Sequence, residues 1–187
     1  IEWHDDFLEK DNTISREKLA TLVARLAARN PKVIGLDVFL KNKSEKGDEA
    51  LSKAIQDAGN VIVPFFIADN HCDNSGKSVL PLSEFKKVAA EIGFANLCEN
   101  PIDRIVRDLQ PLKWSDGRIT YYPFVLEILS YVRTGEKIEE ILEGNPEKMQ
   151  SLRINFKYQD RSTILALTPE EIEQGVFKDL NYENKIV

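Results

Sequence analysis

Residues 33–40 read Val33-Ile34-Gly35-Leu36-Asp37-Val38-Phe39-Leu40, an apolar run that a single carboxylate interrupts. A strand with one solvated face alternates apolar with polar side chains, whereas this run offers apolar side chains to both faces. Strands that are covered on both faces are typical of parallel sheets, in which helices connect one strand to the next. The run therefore predicts a buried strand in a parallel sheet.

Amphipathic helices are predicted on either side of this strand. Ser15 is a typical N-cap residue, and the asparagine-proline pair at residues 30–31 ends the first helix. The apolar positions between them recur at helical spacing: Leu19, Leu22, Val23, Leu26 and Ala27. The second helix follows a charged loop at residues 41–47 and ends at Gly59. Its apolar positions are Leu51, Ala54, Ile55 and Ala58.

Residues 61–67 form the next predicted strand. Pro64 lies within it and lacks the N–H group that a strand ladder requires, so we expect this strand to be bulged or to lie at an edge of the sheet. Strands that alternate with helices build a parallel sheet with helices on its faces.

The second half of the chain changes character. Asp116-Gly117 stands between two strand-like runs and predicts an antiparallel hairpin, whose turn requires two residues at positive φ. A helix is predicted over residues 123–133, with a buried stripe of Phe124, Val125, Ile128, Leu129 and Val132. We therefore predict one domain over residues 1–187. Its fold class is α/β, with three layers, a mostly parallel central sheet flanked by helices, and an antiparallel hairpin appended.

The charge of this segment argues against a nucleic-acid partner, and its hydropathy predicts no membrane span. The 187 residues carry a formal net charge of −6, so we expect no nucleic-acid partner. No stretch reaches the roughly 20 apolar residues of a membrane span.

The chain lacks an initiator Met and stops within a strand-like run, Lys185-Ile186-Val187. We therefore interpret it as a fragment excised from a longer protein.

Short motifs follow one another along the chain in a characteristic order. They are His4-Asp5-Asp6-Phe7-Leu8, Val33-Ile34-Gly35-Leu36-Asp37-Val38-Phe39, Ala58-Gly59-Asn60-Val61-Ile62, Ile92-Gly93-Phe94-Ala95-Asn96, Asp116-Gly117, Pro123-Phe124 and Leu152-Arg153-Ile154-Asn155-Phe156. This ordered set resembles the CHASE domain of the second type, the extracellular sensory module of bacterial cyclases and kinases. The resemblance covers nearly the whole chain.

The resemblance implies a position in a receptor. It places the domain outside the cytoplasmic membrane, between flanking transmembrane helices of the same chain, with a cytoplasmic output module such as an adenylate cyclase or a histidine kinase. It implies a sensor that binds a small-molecule or protein ligand, with no catalytic activity of its own and no cofactor. A homodimer is a further expectation, since most oligomers have two-fold symmetry.

The candidate ligand-binding residues are Asp5, Asp6, Asp37 and Arg107. Asp5 and Asp6 follow a predicted first strand, and Asp37 lies inside or near the end of the strand at residues 33–40. Ligand sites in α/β sheets form beyond the carboxyl ends of strands. Such carboxylates could hold Mg²⁺ or Ca²⁺. The alternative, which we prefer, is structural: the aspartates cap turns and tie loops together, because no phosphate-binding Gly-rich loop accompanies them. We therefore predict no metal. Arg107 is either an anion-binding group or a partner in surface charge pairs.

Cys72 and Cys98 admit two interpretations. Cys72 follows His71, and the two could form a reactive or metal-binding fragment. If the chain lies outside the cytoplasm, a disulfide between Cys72 and Cys98 is the better account, because both lie near the ends of predicted strands.

Three functions thus compete on the sequence alone. The first is the extracytoplasmic sensor. The second is a metal-dependent α/β hydrolase or phosphotransferase that uses Asp5, Asp6 and Asp37. The third is a dimerisation module that binds no ligand. A melting scan with divalent cations and the reading frame of the parent gene separate them.

Overall fold

The structure is a computed structural model that describes residues 14–44, 46–68, 76–99, 102–104, 106, 108–109, 113–133, 137–141 and 152–153. Its helices are α1 (Arg16–Ala27), α2 (Asp48–Ala58), α3 (Ser83–Val88), α4 (Phe124–Val132) and α5 (Ile138–Ile141). Its strands are β1 (Ile34–Gly35), β2 (Val61–Ala68), β3 (Lys77–Val79), β4 (Glu91–Phe94), β5 (Asp108–Leu109), β6 (Trp114–Ser115), β7 (Thr120–Tyr121) and β8 (Leu152–Arg153).

The main sheet is built around β2. On its two sides β1 and β4 pair with it in parallel, with Ile34 opposite Val61 and Ile92 opposite Val63. β3 pairs antiparallel with the last residues of β2. The predicted α/β fold with a mostly parallel sheet is confirmed.

Pro64 lies in this central strand, so the expectation of an edge or bulged strand is wrong. The carbonyls of Val61 and Phe65 accept from the N–H groups of Ala90 and Ala95, so odd-numbered residues of β2 bond toward β4. Backbone groups of successive residues point to opposite sides of a strand. The missing N–H of Pro64 therefore faces the side of β1, and the ladder to β4 is unbroken.

Three helices cover one face of the sheet. The N-terminal end of α1 is as predicted, because the Ser15 hydroxyl accepts from the Lys18 N–H at 3.5 Å. The end of α2 at Gly59 is also as predicted. The side chains buried on this face come from β2 and from α1, α2 and α3: Leu19, Leu22, Val23, Leu26, Leu51, Ile55, Val61, Val63, Phe65, Ile67 and Phe85.

A buried ion pair joins the starts of α1 and α2. Arg16 Nε lies 3.3 Å from Asp48 Oδ1, and both side chains are 9% exposed. Asp48 Oδ2 also accepts from the Ser44 N–H at 2.9 Å. The Arg16 guanidinium lies over the ring of Phe85, 5.8 Å from its centroid, so the pair contacts α3 as well.

Helix α4 covers the opposite face, where Gly35 and Gly93 leave room for it. A Cβ atom at Gly93 would lie 2.6 Å from the Phe124 Cα, and one at Gly35 would lie 2.7 Å from the Ile128 Cδ1. At Gly93 the helix therefore packs against the sheet backbone at a distance that a side chain would forbid. With α1, α2 and α3 on the other face, the three predicted layers are present.

The predicted buried stripe of α4 is wrong in part. Val125 is 52% exposed, whereas Leu126 and Glu127 are buried. Leu126 packs with Leu109 and Ile138 in a small second core, which brings β5 and α5 against the outer side of α4. This second core explains the error, because it buries a side of α4 that the amphipathic pattern assigned to solvent.

The predicted hairpin is confirmed, with a different turn. β6 and β7 pair antiparallel with Ser115 opposite Thr120, so four residues form the loop. Gly117 has φ +86°, and Asp116 is not among the described residues at positive φ. The Asp116 carboxylate instead accepts from the N–H groups of Ile119 and Arg118, and these bonds lower its pKa.

Candidate ligand-binding cavity

A cavity of about 170 Å³ opens at the carboxyl ends of β1 and β4. The chain after each strand and the first turn of α4 form its walls. The described residues that line it are Asp37, Phe94, Ala95, Asn96, Leu97, Leu109, Pro123, Phe124 and Val125. Ligands of parallel α/β sheets bind at this end of the strands, which makes the cavity the candidate site.

Asp37 reaches the cavity because of how β1 ends. The Leu36 N–H donates to the Ile62 carbonyl at 3.0 Å. The next bond of a parallel ladder would run from residue 64 to the Leu36 carbonyl, but Pro64 has no N–H. The Val38 N–H donates to that carbonyl at 2.7 Å instead, which closes a three-residue turn centred on Asp37. The chain leaves the sheet there, and the Asp37 side chain is exposed at the cavity.

The Asn96 side chain holds the chain after β4 beside β2. Its Oδ1 accepts from the Ile67 N–H at 2.7 Å, and its Nδ2 donates to the Ile67 carbonyl at 3.0 Å. The amide thus continues the sheet where β4 has ended. Both of its polar groups are engaged by the β2 backbone, so Asn96 shapes the cavity wall.

Apolar side chains lie open to solvent at the cavity. Leu97 is 57% exposed and Val125 is 52% exposed, and both line the cavity. Beneath them Phe94 and Pro123 are buried. Large aliphatic side chains gain free energy when a ligand removes them from water, about 25 cal/mol for each Å² covered. The cavity therefore combines apolar walls with one carboxylate among its described residues.

A second, wider depression of about 510 Å³ lies beside α2 and α3. Lysine, carboxylate and uncharged polar side chains form its described wall, which consists of Lys43, Asp48, Glu49, Ser52, Lys53, Gln56 and Glu84. Asp48 forms an ion pair with Arg16, and Lys53 forms one with Asp57. Across the described part of the chain, no group of three or more His, Cys, Asp or Glu side chains could hold a metal ion.

Of the four predicted ligand-binding residues, Asp37 is the one that the structure describes. Asp5, Asp6 and Arg107 lie outside the described residues, so their convergence with Asp37 stays a prediction. The Asp37 side chain is exposed, and the interpretation that it ties neighbouring loops together stays a prediction.

Cys98 is 4% exposed and disulfide-bonded, directly after the cavity residue Leu97. Cys72 lies outside the described residues. The bridge between the two stays a prediction.

Leu97, Asn96 and Val125 were not predicted to belong to a site. Leu97 has the pattern of a strand end, and Val125 has the spacing of a buried helix position. The sequence does contain one usable signal. Asn96 is a polar residue two positions after the end of β4, in the region where parallel strands present ligand-site residues.

Glu91 and Tyr131 lie at the amino end of β4, away from the cavity. Burial raises the pKa of the Glu91 carboxyl. Burial also raises the pKa of the Tyr131 hydroxyl, and the negative charges of Glu91 and Glu127 add to that shift. These groups belong to the contact between β4 and α4.

Comparisons with known proteins address the whole chain. No curated protein matches it, and no solved structure matches it. In the described residues, no helix combines the length and the apolarity that a membrane crossing demands. The family model of the CHASE2 domain matches residues 1–187. The chain therefore belongs to the CHASE2 family of extracellular sensor domains.

Proposed function

We propose that this CHASE2 domain is the extracytoplasmic sensor of a bacterial transmembrane receptor, and that ligand binding at the cavity beside Asp37 controls a cytoplasmic output module. The ligand is a small molecule or a segment of a partner protein. Membrane helices of the same chain flank the domain, and the output module is a cyclase or a kinase. One observation carries the proposal: the cavity is formed jointly by the ends of β1 and β4 and by the start of α4.

A ligand in this cavity contacts two layers of the domain at once. Asp37 and Leu97 belong to the sheet layer, whereas Phe124 and Val125 belong to α4. A ligand shifts a conformational equilibrium when it binds the two conformations with unequal affinity. A site between two layers meets that condition whenever the layers move relative to each other, because the contacts on one side change.

The parent receptor in membranes provides the test. We expect Asp37→Asn to change the ligand response of the output reaction, measured as cyclic nucleotide formation or as autophosphorylation. The matched control is Asp57→Asn, which makes the same charge change at an exposed ion pair on α2. An unchanged dose response in the Asp37 variant contradicts the proposal.

The parent reading frame tests the placement. We expect a hydrophobic helix before the domain and several after it, followed by a cytoplasmic module. A frame that encodes no hydrophobic helix on either side contradicts the receptor. The enzyme alternative has its own test, since a ligand at about 100 times its Kd adds about 2.7 kcal/mol to stability. A melting scan with Mg²⁺, Ca²⁺, Mn²⁺ and Zn²⁺ that shifts the transition would support it.

A further inference from the structure

The cavity beside Asp37 is small, and its size limits the ligand. Its volume is about 170 Å³. A dry cavity of about 150 Å³ accommodates a benzene molecule, whereas sites for drug-sized ligands begin at about 300 Å³. A body of about six to nine non-hydrogen atoms therefore fills it.

The charge of the described wall is negative. Asp37 is the one formally charged side chain among the described lining residues. Asn96 is the other residue there with a polar side chain, and both of its polar groups bind the Ile67 backbone. The Asp37 carboxylate, exposed and engaged by no other described residue, favours a cation and repels an anion.

The remaining wall is apolar and in part open to water. Leu97 and Val125 are both more than half exposed, and the aromatic ring of Phe94 is buried behind them. Aliphatic side chains grouped at a cavity gain from contact with an apolar ligand body. The ligand therefore needs an apolar part beside its cationic group.

We propose that the cavity binds a small ammonium compound with an apolar body, either an aliphatic amine or an amino acid with an apolar side chain. The ammonium group donates to the Asp37 carboxylate, and the body packs against Leu97 and Val125. This inference rests on the proposed sensor function for its biological meaning. The carboxylate of an amino acid would lie toward the first turn of α4, where the helix dipole favours negative charge.

Calorimetric titration of the 187-residue chain tests the proposal directly. The probes share one carbon skeleton: 3-methylbutylamine, leucine, 3-methylbutanol and 3-methylbutanoate. We expect the amine or leucine to bind at least tenfold more tightly than the alcohol, and the carboxylic acid to bind most weakly. At about 100 times its Kd the better ligand raises the melting temperature by about 5–10 °C.

Two variants with matched controls locate the site. Asp37→Asn raises the Kd of the amine about tenfold, the loss expected for one charge-assisted hydrogen bond, while Asp57→Asn leaves it unchanged. Leu97→Ala weakens both the amine and leucine, while Ile119→Ala removes a comparably exposed aliphatic side chain elsewhere and has no effect. Melting curves of the unliganded variants confirm that each is folded.

Each result of these titrations either supports or overturns the inference. Binding of the amine that depends on Asp37 and Leu97 supports the inference, and a tighter leucine complex assigns the amino-acid source. Equal affinity for the alcohol, an unchanged Kd in Asp37→Asn, or no binding by either ammonium probe overturns it. Because this assay contains neither membrane nor output module, failure of signalling with intact binding counts against the proposed function alone.

Discussion

Glu91 lies at the amino end of β4 with its side chain partly exposed to solvent. Its partial burial raises the pKa of its carboxyl, and its charge contributes to the raised pKa of Tyr131. A raised pKa means that folding favours the protonated form. The stabilising contribution is therefore full below the ordinary pKa of 4.5 and is lost as the pH rises through the folded-state value.

We expect Glu91→Gln to raise the melting temperature at pH 7, because glutamine keeps the shape and removes the charge. The gain should shrink as the pH falls through the raised pKa of the folded protein and should be nearly absent below about 4.5, where the wild-type carboxyl is itself protonated. Melting curves between pH 3 and pH 8 measure both effects. Glu49→Gln is the control, since an acidic side chain in the first turn of α2 is favourable and its loss should not stabilise. A lower melting temperature of the Glu91 variant at pH 7 would contradict the assignment.

Cys98 supports a second prediction for single residues. It is buried and disulfide-bonded, and the chain contains two cysteines. We predict that its partner is Cys72, so that unfolded, unreduced protein shows no free thiol and reduced protein shows two. A bridge that closes a loop of this length stabilises by about 3 kcal/mol. Urea unfolding with and without reductant measures the difference, and two free thiols before reduction would refute the bridge.

At the scale of elements, the Arg16–Asp48 ion pair fixes α1 against α2. The Nε–Oδ1 contact of 3.3 Å has the geometry of an ion pair and not of a hydrogen bond, and both side chains are nearly removed from water. Replacing one partner leaves the other as a buried charge that has lost the opposite charge beside it. The buried charge of either residue therefore destabilises the folded state most when the other residue has been replaced.

We expect Asp48→Asn and Arg16→Met each to lower the free energy of unfolding by about 3 kcal/mol. The double variant should lose clearly less than the sum, because it contains no uncompensated charge. Urea unfolding of the four proteins measures the coupling. The same cycle at Lys53 and Asp57, an exposed pair on α2, should give less than about 1 kcal/mol. Additive losses at Arg16 and Asp48 would mean that the pair does not act as a unit.

The ends of helices were predictable from the sequence where a single residue determines them. Ser15 begins α1 and Gly59 ends α2, and both act through their own backbone or side-chain chemistry. Pro64 was wrongly predicted to mark an edge or bulged strand. The preference of proline for edge strands takes no account of how a neighbouring strand can compensate for the missing N–H. Its missing donor is tolerated in a central strand since the Val38 N–H takes the Leu36 carbonyl, a compensation that depends on the register of two strands.

The candidate site was predictable only in its location. Its end of the sheet and Asp37 follow from the order of strands and helices, which the sequence pattern contains. Leu97 and Val125 do not follow, because their exposure depends on where α4 lies on the sheet. That placement is set by packing across the sheet and by the second core around Leu126.

For the whole molecule, the spacing of the layers depends on two glycines. A Cβ at Gly93 would meet the Cα and N atoms of Phe124, at 2.6 and 2.7 Å, and backbone cannot yield without moving α4. A Cβ at Gly35 would meet the terminal Cδ1 of Ile128, which can rotate away. The two positions look alike in sequence, but they should respond differently to the same added methyl group.

We expect Gly93→Ala to lower the free energy of unfolding by about 3 kcal/mol, the upper range for overpacking, and Gly35→Ala to change it by about 1 kcal/mol or less. Urea unfolding measures both, and Ile128→Val in the Gly35→Ala background should relieve what strain remains. Because Phe124 also lines the cavity, displacement of α4 in the Gly93 variant should widen it and weaken any ligand bound beside Asp37. Equal losses at the two glycines would contradict the view that the close backbone contact between Gly93 and Phe124 sets the distance of α4 from the sheet.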